Sequence, residues 1–385
     1  MYTRLLKIQE RKSFFLFGPR GTGKTTWLKT QFPGALYFDL LDSEIYTNFL
    51  ARPNRLASMI PTDQKGIVIL DEVQRVPALL HEVHRLIESR GLVFALTGSS
   101  TRKLKAKDVN LLAGRALTFT MYPLTAHELG KDFSFIHALN FGTLPSVIQK
   151  PDARQYLESY VATYLREEVQ QEGLTRNLGA FTRFLEEASF SQGSLLNISE
   201  VSRECAVNRK VVEHYFSILE DLLIAERIPV FTKRAQRNVV SHPKFYFFDA
   251  GVYRAIRPRG PLDSVEEIDG AVLETLVVQE LKALNHYLRW GFRFYFWRTA
   301  TGQEVDVVLY GERGIQAFEV KRSARLSSDM FRGLRAFRRN YPTARTTLIY
   351  GGDREFWDQD IHVIPLEAFL KNCRDVIEMK CQILQ

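Results

Sequence analysis

Residues 18–25 read Gly-Pro-Arg-Gly-Thr-Gly-Lys-Thr and lie between a short apolar run, 14–17, and a predicted helix, 25–31. The apolar run is typical of a buried strand. A strand, a glycine-rich loop and a helix in this order can cradle phosphate, because the glycines let backbone N–H groups curl around an anion at the helix N-terminus. The sequence therefore predicts a phosphate site in an α/β domain with a parallel sheet.

The loop residues are candidate ligands of ATP and Mg²⁺. We expect Lys24 to reach the β- and γ-phosphates and Thr25 to bind Mg²⁺. The expected nucleotide contacts are Gly18, Pro19, Arg20, Gly21, Thr22, Gly23, Lys24, Thr25 and Thr26, followed downstream by Asp71 and Ser99.

Two acidic residues follow the apolar run 66–70. Asp71 and Glu72 would stand at the carboxyl end of a strand, where ligands bind in parallel sheets. We expect Asp71 to contact Mg²⁺ and Glu72 to orient and deprotonate the attacking water. Ser99 ends the next apolar run and is a candidate sensor of the γ-phosphate; the alternative is a helix N-cap.

The region around Arg115 resembles the AAA+ ATPases. The resemblance implies that an arginine of one copy enters the ATP site of a neighbouring copy, and we assign that role to Arg115, with Arg102 as a rival. A homo-oligomer follows if Arg115 acts in trans. The second sensing arginine of the family has only Arg166 as a candidate.

Composition limits the class of protein. The chain has 385 residues, 45% hydrophobic and 25% charged, which is typical of a globular protein with two or three domains. No apolar run is long enough for a membrane span, so we expect no membrane partner. The charged N-terminus argues against a cleaved signal peptide, and three scattered cysteines favour the cytoplasm.

The expected architecture is a P-loop parallel-sheet domain with three further parts. Residues 198–205 and 209–226 predict a helix-turn-helix, and strands at 227–231 and 244–248 flank a basic loop like the wing of a winged helix. The predicted domains are an AAA+ ATPase domain at 1–125, a helical lid at 126–193, a winged helix at 194–262 and an α/β restriction-endonuclease-like domain at 263–385.

Carboxylates near the C-terminus resemble the PD-(D/E)XK nuclease fold. Asp306 lies on one predicted strand, and Glu319 and Lys321 share a face of the next, because side chains two apart point the same way. Glu274, or alternatively Glu280, would complete the set. The resemblance implies that Glu274, Asp306 and Glu319 bind Mg²⁺ while Lys321 stabilises charge; salt bridges are the alternative use of these residues.

The wider resemblance is to a bacterial and archaeal group of AAA+ ATPases that carry a C-terminal domain of unknown function. It rests on the segments 18–25, 70–74, 96–100, 113–115, 122–124, 142–145 and 247–251.

The expected function is Mg²⁺-dependent ATP hydrolysis with binding of nucleic acid; DNA is the expected partner, and RNA stays open as the alternative. The net charge of +8 permits such binding, and Arg332, Arg335 and Arg339 recur at helical spacing as a candidate phosphate-tracking stripe. Cleavage by the nuclease-like domain is open. The alternative is an ATP-dependent switch or scaffold that acts through protein partners and carries an inactive nuclease fold.

Overall fold

A computed structural model describes residues 2–8, 12–100, 112, 114–148, 150–165, 169, 177–232, 242–261 and 263–379. The chain forms two compact units. The first comprises Arg4–Tyr122 with Ile218–Ile224, and the second comprises Met1–Thr3, Pro123–Ser217 and Ala225–Gln385. The finer division of the second unit into lid, winged helix and nuclease-like domain stays a prediction.

The first unit has a five-stranded sheet in the order β2-β3-β4-β1-β5, and all of its paired strands are parallel. The predicted α/β fold is thereby confirmed. The strands are rich in Phe, Leu, Ile and Val because helices on both faces of a parallel sheet exclude water. They are β1 (Ser13–Phe17), β2 (Leu36–Asp39), β3 (Val68–Asp71), β4 (Phe94–Gly98) and β5 (Ala116–Thr120).

The helices of this unit pack apolar stripes against the sheet. The last of them buries Leu79, Leu80, Val83 and Leu86 and ends at Gly91, which has φ 62°. The helices are α1 (Lys24–Gln31), α2 (Ser43–Ala51), α3 (Arg55–Met59) and α4 (Leu79–Arg90), with a 3₁₀ turn at Val73–Arg75.

The second unit opens with short helices. Its early elements are α5 (Ala126–Leu129), α6 (Phe135–Phe141), α7 (Pro145–Ile148), α8 (Ala153–Ser159), a π-helical turn at Tyr160–Leu165 and α9 (Leu178–Ser189).

Two of the segments that carry the family resemblance, 142–145 and 247–251, contact one another within this unit. The carboxylate of Asp249 caps α12 (Ala250–Ile256), the helix that begins directly after it. The same carboxylate accepts a hydrogen bond of 3.0 Å from the Thr143 amide. A Cβ on Gly251 would lie 2.1 Å from the Phe141 carbonyl oxygen, so only glycine permits this helix contact. The two segments thus hold one another in place.

A helix, a turn, a second helix and an antiparallel pair of strands follow α9, as the sequence predicts. These are α10 (Ile198–Glu204), α11 (Arg209–Asp221), β6 (Ala225–Ile228) and β7 (Lys244–Phe247). The second helix ends earlier than predicted because Leu223 adopts φ 58°, which turns the chain into β6. The basic loop at 233–237 lies outside the described residues, and the winged helix stays an interpretation.

The last part of the chain is a long helix, α13 (Val265–Tyr287), followed by a six-stranded sheet in the order β12-β13-β11-β10-β9-β8. Strands β8, β9 and β10 are antiparallel neighbours, whereas β10, β11 and β13 run parallel. The strands are β8 (Arg293–Arg298), β9 (Glu304–Gly311), β10 (Gly314–Lys321), β11 (Arg345–Tyr350), β12 (Phe356–Asp358) and β13 (Ile361–Pro365).

Two more helices and a 3₁₀ turn complete this region: the turn at Ser328–Phe331, α14 (Arg332–Asn340) and α15 (Leu366–Glu378). Within the described part of the chain, no helix combines the length and the apolar character that a membrane crossing requires.

Candidate functional site

The predicted phosphate loop connects β1 to α1. Gly23 stands before α1 with φ 89°, and no side chain caps the amides of the first turn. An uncapped helix N-terminus after a glycine is a setting that suits an anion. Gly18 must lack a side chain, because a Cβ there would lie 2.4 Å from the carbonyl oxygen of Met121. The Thr22 hydroxyl closes the turn by donating to the Pro19 carbonyl at 2.8 Å.

Lys24 is buried, with 5% of the residue exposed, and its ammonium folds back over the loop. It donates to the carbonyl oxygens of Gly18 at 2.7 Å and Pro19 at 3.3 Å. Both acceptors are neutral. A phosphate oxygen is a stronger acceptor for an ammonium group, so a bound polyphosphate would compete well for it.

The remaining predicted loop contacts stay near the same turn. Arg20 and Thr26 are exposed, and Gly21 has φ 83°.

Thr25 and Asp71 come together at the carboxyl ends of β1 and β3. The Thr25 hydroxyl donates to Oδ2 of Asp71 at 2.7 Å. The hydroxyls of Tyr37 and Thr97 also donate to this carboxylate, from the two strands that flank β3. Burial, with Asp71 adding to it, raises the pKa of Tyr37 well above its ordinary value, so the phenol remains a proton donor. A hydroxyl and an oriented carboxylate are the hard oxygen ligands that suit Mg²⁺.

Glu72 follows Asp71 in the left-handed region, with φ 60° and ψ 46°. This backbone is uncommon for a residue other than glycine and is frequent at functional sites. The Glu72 amide donates to the Thr97 hydroxyl at 3.0 Å. Its carboxylate accepts from the side chains of Gln74 and of Ser99, the latter at 3.3 Å.

Sequence reasoning missed Tyr37 and Gln74 and gave Thr97 no role. Gln74 also donates to Ser99 at 3.0 Å, so Ser99 joins a polar network around Glu72. The available signal was a polar residue on each strand beside β3, namely Tyr37 on β2 and Thr97 on β4. It becomes informative only when the order of the strands is known.

Arg115 is not brought to the ATP site of its own chain. It is 40% exposed at the side chain and pairs with Glu88 of α4, with Nε and Oε1 2.5 Å apart. Ser13 pairs with Ala116 in register, so Arg115 precedes the amino end of the sheet, whereas the phosphate loop follows the carboxyl end of β1. The five residues of β1 separate these two ends by about 16 Å. The rival Arg102 and the candidate sensor Arg166 lie outside the described residues.

The carboxylates of the second unit form a separate cluster. Asp306 lies on β9, Glu319 and Lys321 on β10 and Glu274 on α13, as predicted. Oδ2 of Asp306 accepts the Val320 amide at 2.9 Å. The Lys321 ammonium lies 2.5 Å from Oε1 of Glu319 and 4.0 Å from Oδ2 of Asp306.

A second ammonium group stands inside this cluster. The Lys244 Nζ atom lies 3.0 Å from Glu274 Oε1, 3.0 Å from Asp306 Oδ1 and 2.7 Å from Glu304 Oε1. Two residues further along β7, the Tyr246 hydroxyl donates to Glu274. Sequence reasoning placed Lys244 only in a strand of the wing. The available signal was the alternation of Lys244 and Tyr246 on one face of that strand.

Glu280 is separate from this cluster. Its Oε2 atom accepts the Ala126 amide at 3.0 Å. Burial raises the pKa of Glu280 well above its ordinary value, and Glu128 adds to the rise. Of the two alternatives that the sequence left open, Glu274 is the one near Asp306.

The cluster carries opposing electrostatic effects. Burial and then the Asp306 carboxylate raise the pKa of Glu274 to about 7 and that of Glu319 to about 8. Burial alone would raise the pKa of Asp306, but Lys244 and Lys321 outweigh it and hold that pKa below its ordinary value. Among the described residues, no group of three or more His, Cys, Asp or Glu has an arrangement that could hold a metal ion.

Family comparisons divide the chain into consecutive segments. Residues 10–130 match an AAA domain. Residues 132–263 match a domain of unknown function (DUF8612), and residues 269–369 match another domain of unknown function (DUF4143).

An uncharacterized protein of Haemophilus influenzae is 22% identical over 227 residues, which cover 52% of this chain and 55% of the relative. The chain thus spans about half the length of that curated relative.

Solved structures give weaker likenesses. The Aeropyrum pernix ORC2 protein, in ADPNP and ADP complexes, is 13% identical over 69% of this chain and 89% of its own, with a TM-score of 0.26. The ORC1 protein of that organism, solved in complex with DNA, is 13% identical over 64% and 87%, with a TM-score of 0.27. The Bacillus subtilis DNA clamp loader delta protein is 13% identical over 70% and 95%, with a TM-score of 0.26. Scores of this size do not indicate a shared function.

The AAA match covers both the phosphate loop and the acidic pair that follows β3. Residues 10–130 therefore match an AAA domain across both halves of the candidate site.

Proposed function

We propose that this chain hydrolyses ATP with Mg²⁺ at the carboxyl end of its N-terminal sheet. The observation that carries the proposal is the contact between Thr25 and Asp71 at 2.7 Å, directly beside the phosphate loop. The contact brings an alcohol and a carboxylate to the N-terminal end of α1. No residue of the loop blocks an anion with a carboxylate of its own.

Each side chain has a defined task in this proposal. Lys24 exchanges its carbonyl acceptors for phosphate oxygens, and the amides of the first turn of α1 bind the same group. Thr25 and Asp71 hold Mg²⁺, which when bound neutralises charge on the phosphate oxygens. Glu72 accepts a proton from the attacking water, and Gln74 and Ser99 orient its carboxylate until then.

Glu72→Gln and Lys24→Ala test the assignment. The amide of Glu72→Gln cannot accept the proton, so we expect ATP to stay bound and hydrolysis to fall by about 10²-fold or more. Lys24→Ala should weaken ATP binding instead, since it removes the charge that meets the phosphates. Binding of a fluorescent ATP analogue and release of phosphate measure the two steps separately.

Lys65→Ala, an exposed lysine on the loop before β3, is the matched control and should leave both quantities unchanged. Wild-type hydrolysis in Glu72→Gln would refute the role of Glu72, and wild-type affinity in Lys24→Ala would refute the site.

The second part of the proposal is that the C-terminal region binds nucleic acid along α14. Arg332, Arg335, Arg338 and Arg339 line a groove of about 790 Å³ together with the segment 359–361. The opposite side of α14 is buried, so the arginines form its outward face. A row of guanidinium groups at helical spacing suits the phosphate backbone, which recurs at regular intervals.

A further inference from the structure

The Lys244 side chain is one of the most deeply buried charged groups of the second unit, with 3% of it exposed. Its ammonium group has three protons, and three carboxylates lie within 3.0 Å of Nζ, one each from Glu274, Glu304 and Asp306. Two of these contacts are hydrogen bonds, which the ammonium donates to Glu274 and Asp306, and the third is an ion pair with Glu304. Of the three carboxylates of the predicted nuclease centre, Glu274 and Asp306 each have one oxygen in contact with this lysine, and Glu319 pairs with Lys321 at 2.5 Å.

Mg²⁺ does not fit beside this lysine. Mg²⁺ binds carboxylate oxygens at about 2.0–2.1 Å and requires lone pairs that face it. On Asp306, Oδ1 faces Lys244, while Oδ2 accepts the Val320 amide at 2.9 Å and has Lys321 at 4.0 Å. A metal at the same oxygens would stand within a few ångströms of a buried positive charge, and like charges at that distance repel strongly where water is excluded.

We propose that the Lys244 ammonium is the resident cation of this cluster and takes the place of Mg²⁺. The carboxylates then serve to fix β7 against α13 and β9 rather than to cleave a phosphodiester. Removal of the ammonium leaves Glu274, Glu304 and Asp306 with an excess of negative charge, since the cations that remain beside them in the described part of the chain are Lys321, 4.0 Å from Asp306, and Arg298, 3.3 Å from Glu304. We expect the carboxylates then to attract a divalent cation.

Binding of Mn²⁺ to the full chain tests the proposal without nucleotide and without any assay of cleavage. The signal is Mn²⁺ bound per chain, followed by electron paramagnetic resonance and compared in each background with and without Asp306→Asn. This comparison removes Mn²⁺ that binds elsewhere, including at Thr25 and Asp71. We expect no Asp306-dependent Mn²⁺ in the wild-type chain and a gain of a single Asp306-dependent Mn²⁺ in Lys244→Met.

Lys282→Met is the matched control, because Lys282 is another lysine of the second unit with little of its side chain exposed, but it pairs with Glu226 instead. It should gain no Mn²⁺. Asp306-dependent Mn²⁺ in the wild-type chain overturns the proposal, and so does a folded Lys244→Met that gains none. If Lys244→Met does not fold, the wild-type comparison alone decides. The outcome is independent of ATP hydrolysis, since the cluster and the ATP site belong to different units.

Discussion

Lys24 and Lys244 both have buried side chains in the described part of the chain, but they donate to acceptors of different charge. Lys24 donates to neutral carbonyl oxygens of its own loop, at 2.7 and 3.3 Å. Lys244 donates to carboxylates. An incoming phosphate is a stronger acceptor than the neutral carbonyl oxygens that Lys24 contacts. At Lys244 it would have to compete with carboxylates, which carry a full negative charge. Lys24 is therefore suited to exchange its partners, whereas Lys244 is suited to keep them.

Thr97 is the residue whose role is most sharply testable at the ATP site. Its hydroxyl donates to Asp71 and accepts the Glu72 amide at 3.0 Å, so one oxygen orients both acidic residues. Thr97→Val keeps the shape and removes both bonds. We expect kcat for ATP to fall by about 10- to 100-fold, as when other groups that position metal ligands are removed, with ATP binding retained. Steady-state hydrolysis and binding of a fluorescent ATP analogue measure the two effects.

Thr97→Ser keeps the hydroxyl and should restore most of the activity. Thr118→Val, on an exposed position of β5, is the control for loss of a strand threonine. A wild-type kcat in Thr97→Val would show that hydrolysis does not depend on the orientation of Asp71 and Glu72 by this hydroxyl.

Single residues of the site were predictable where the sequence places them next to a recognisable strand end. Asp71 is the last residue of β3 and Glu72 follows it directly, as predicted. Tyr37 was not predictable because its contact with Asp71 depends on β2 lying next to β3, and strand order is a property of the sheet. Lys244 was missed for a similar reason, since its partners lie at least thirty positions away along the chain.

Among the helices, α14 shows how far an amphipathic pattern predicts a surface. Leu334 and Phe337 are buried, and Arg332, Arg335 and Arg339 are exposed, as the spacing indicates. The pattern did not predict the acidic residues that come from elsewhere. Asp358 of β12 lies 2.8 Å from Arg335, and Asp360 lies 3.1 Å from Arg338. Part of the positive charge of this helix is thereby neutralised within the chain.

The double variant Arg332→Ala, Arg339→Ala tests nucleic-acid binding by α14. Among the ion pairs of the described residues, neither of these two arginines has a contact as short as those of Arg335 and Arg338. We expect weaker binding of DNA and a salt dependence, log Kd against log salt concentration, that is less steep by about 2, since each phosphate contact contributes about 1. Fluorescence anisotropy of a labelled duplex and a labelled single strand over a series of salt concentrations measures both.

Arg293→Ala combined with Arg313→Ala is the control, because it removes the same charge from exposed positions of the second unit that lie outside the groove. An equal loss in the two double variants would assign the effect to net charge. No binding of DNA by the wild-type chain at low salt would end the nucleic-acid proposal.

At the scale of the whole chain, the position of Arg115 bears on whether ATP hydrolysis requires a second copy of the protein. It precedes β5 at the amino end of the parallel sheet, and the phosphate loop lies beyond the carboxyl end of β1. A rigid strand between them prevents Arg115 from reaching the ATP of its own chain. If this arginine stabilises charge during hydrolysis, it does so in another copy. The sequence predicted Arg115 from the family resemblance, and only the register of β1 with β5 excludes action within one chain.

Mixing of variants tests this arrangement. Glu72→Gln chains would supply an intact Arg115 but no catalytic carboxylate, and Arg115→Ala chains the reverse. Each alone should hydrolyse ATP at least about tenfold more slowly than wild type, and a mixture should regain activity, because an arginine supplied in trans can accelerate hydrolysis by orders of magnitude. Hydrolysis per wild-type chain should also rise with protein concentration. Arg85→Ala, an exposed arginine of α4 paired with Glu82, is the control and should behave as wild type. No recovery in the mixture, with a concentration-independent rate, would leave Arg115 as the partner of Glu88 alone.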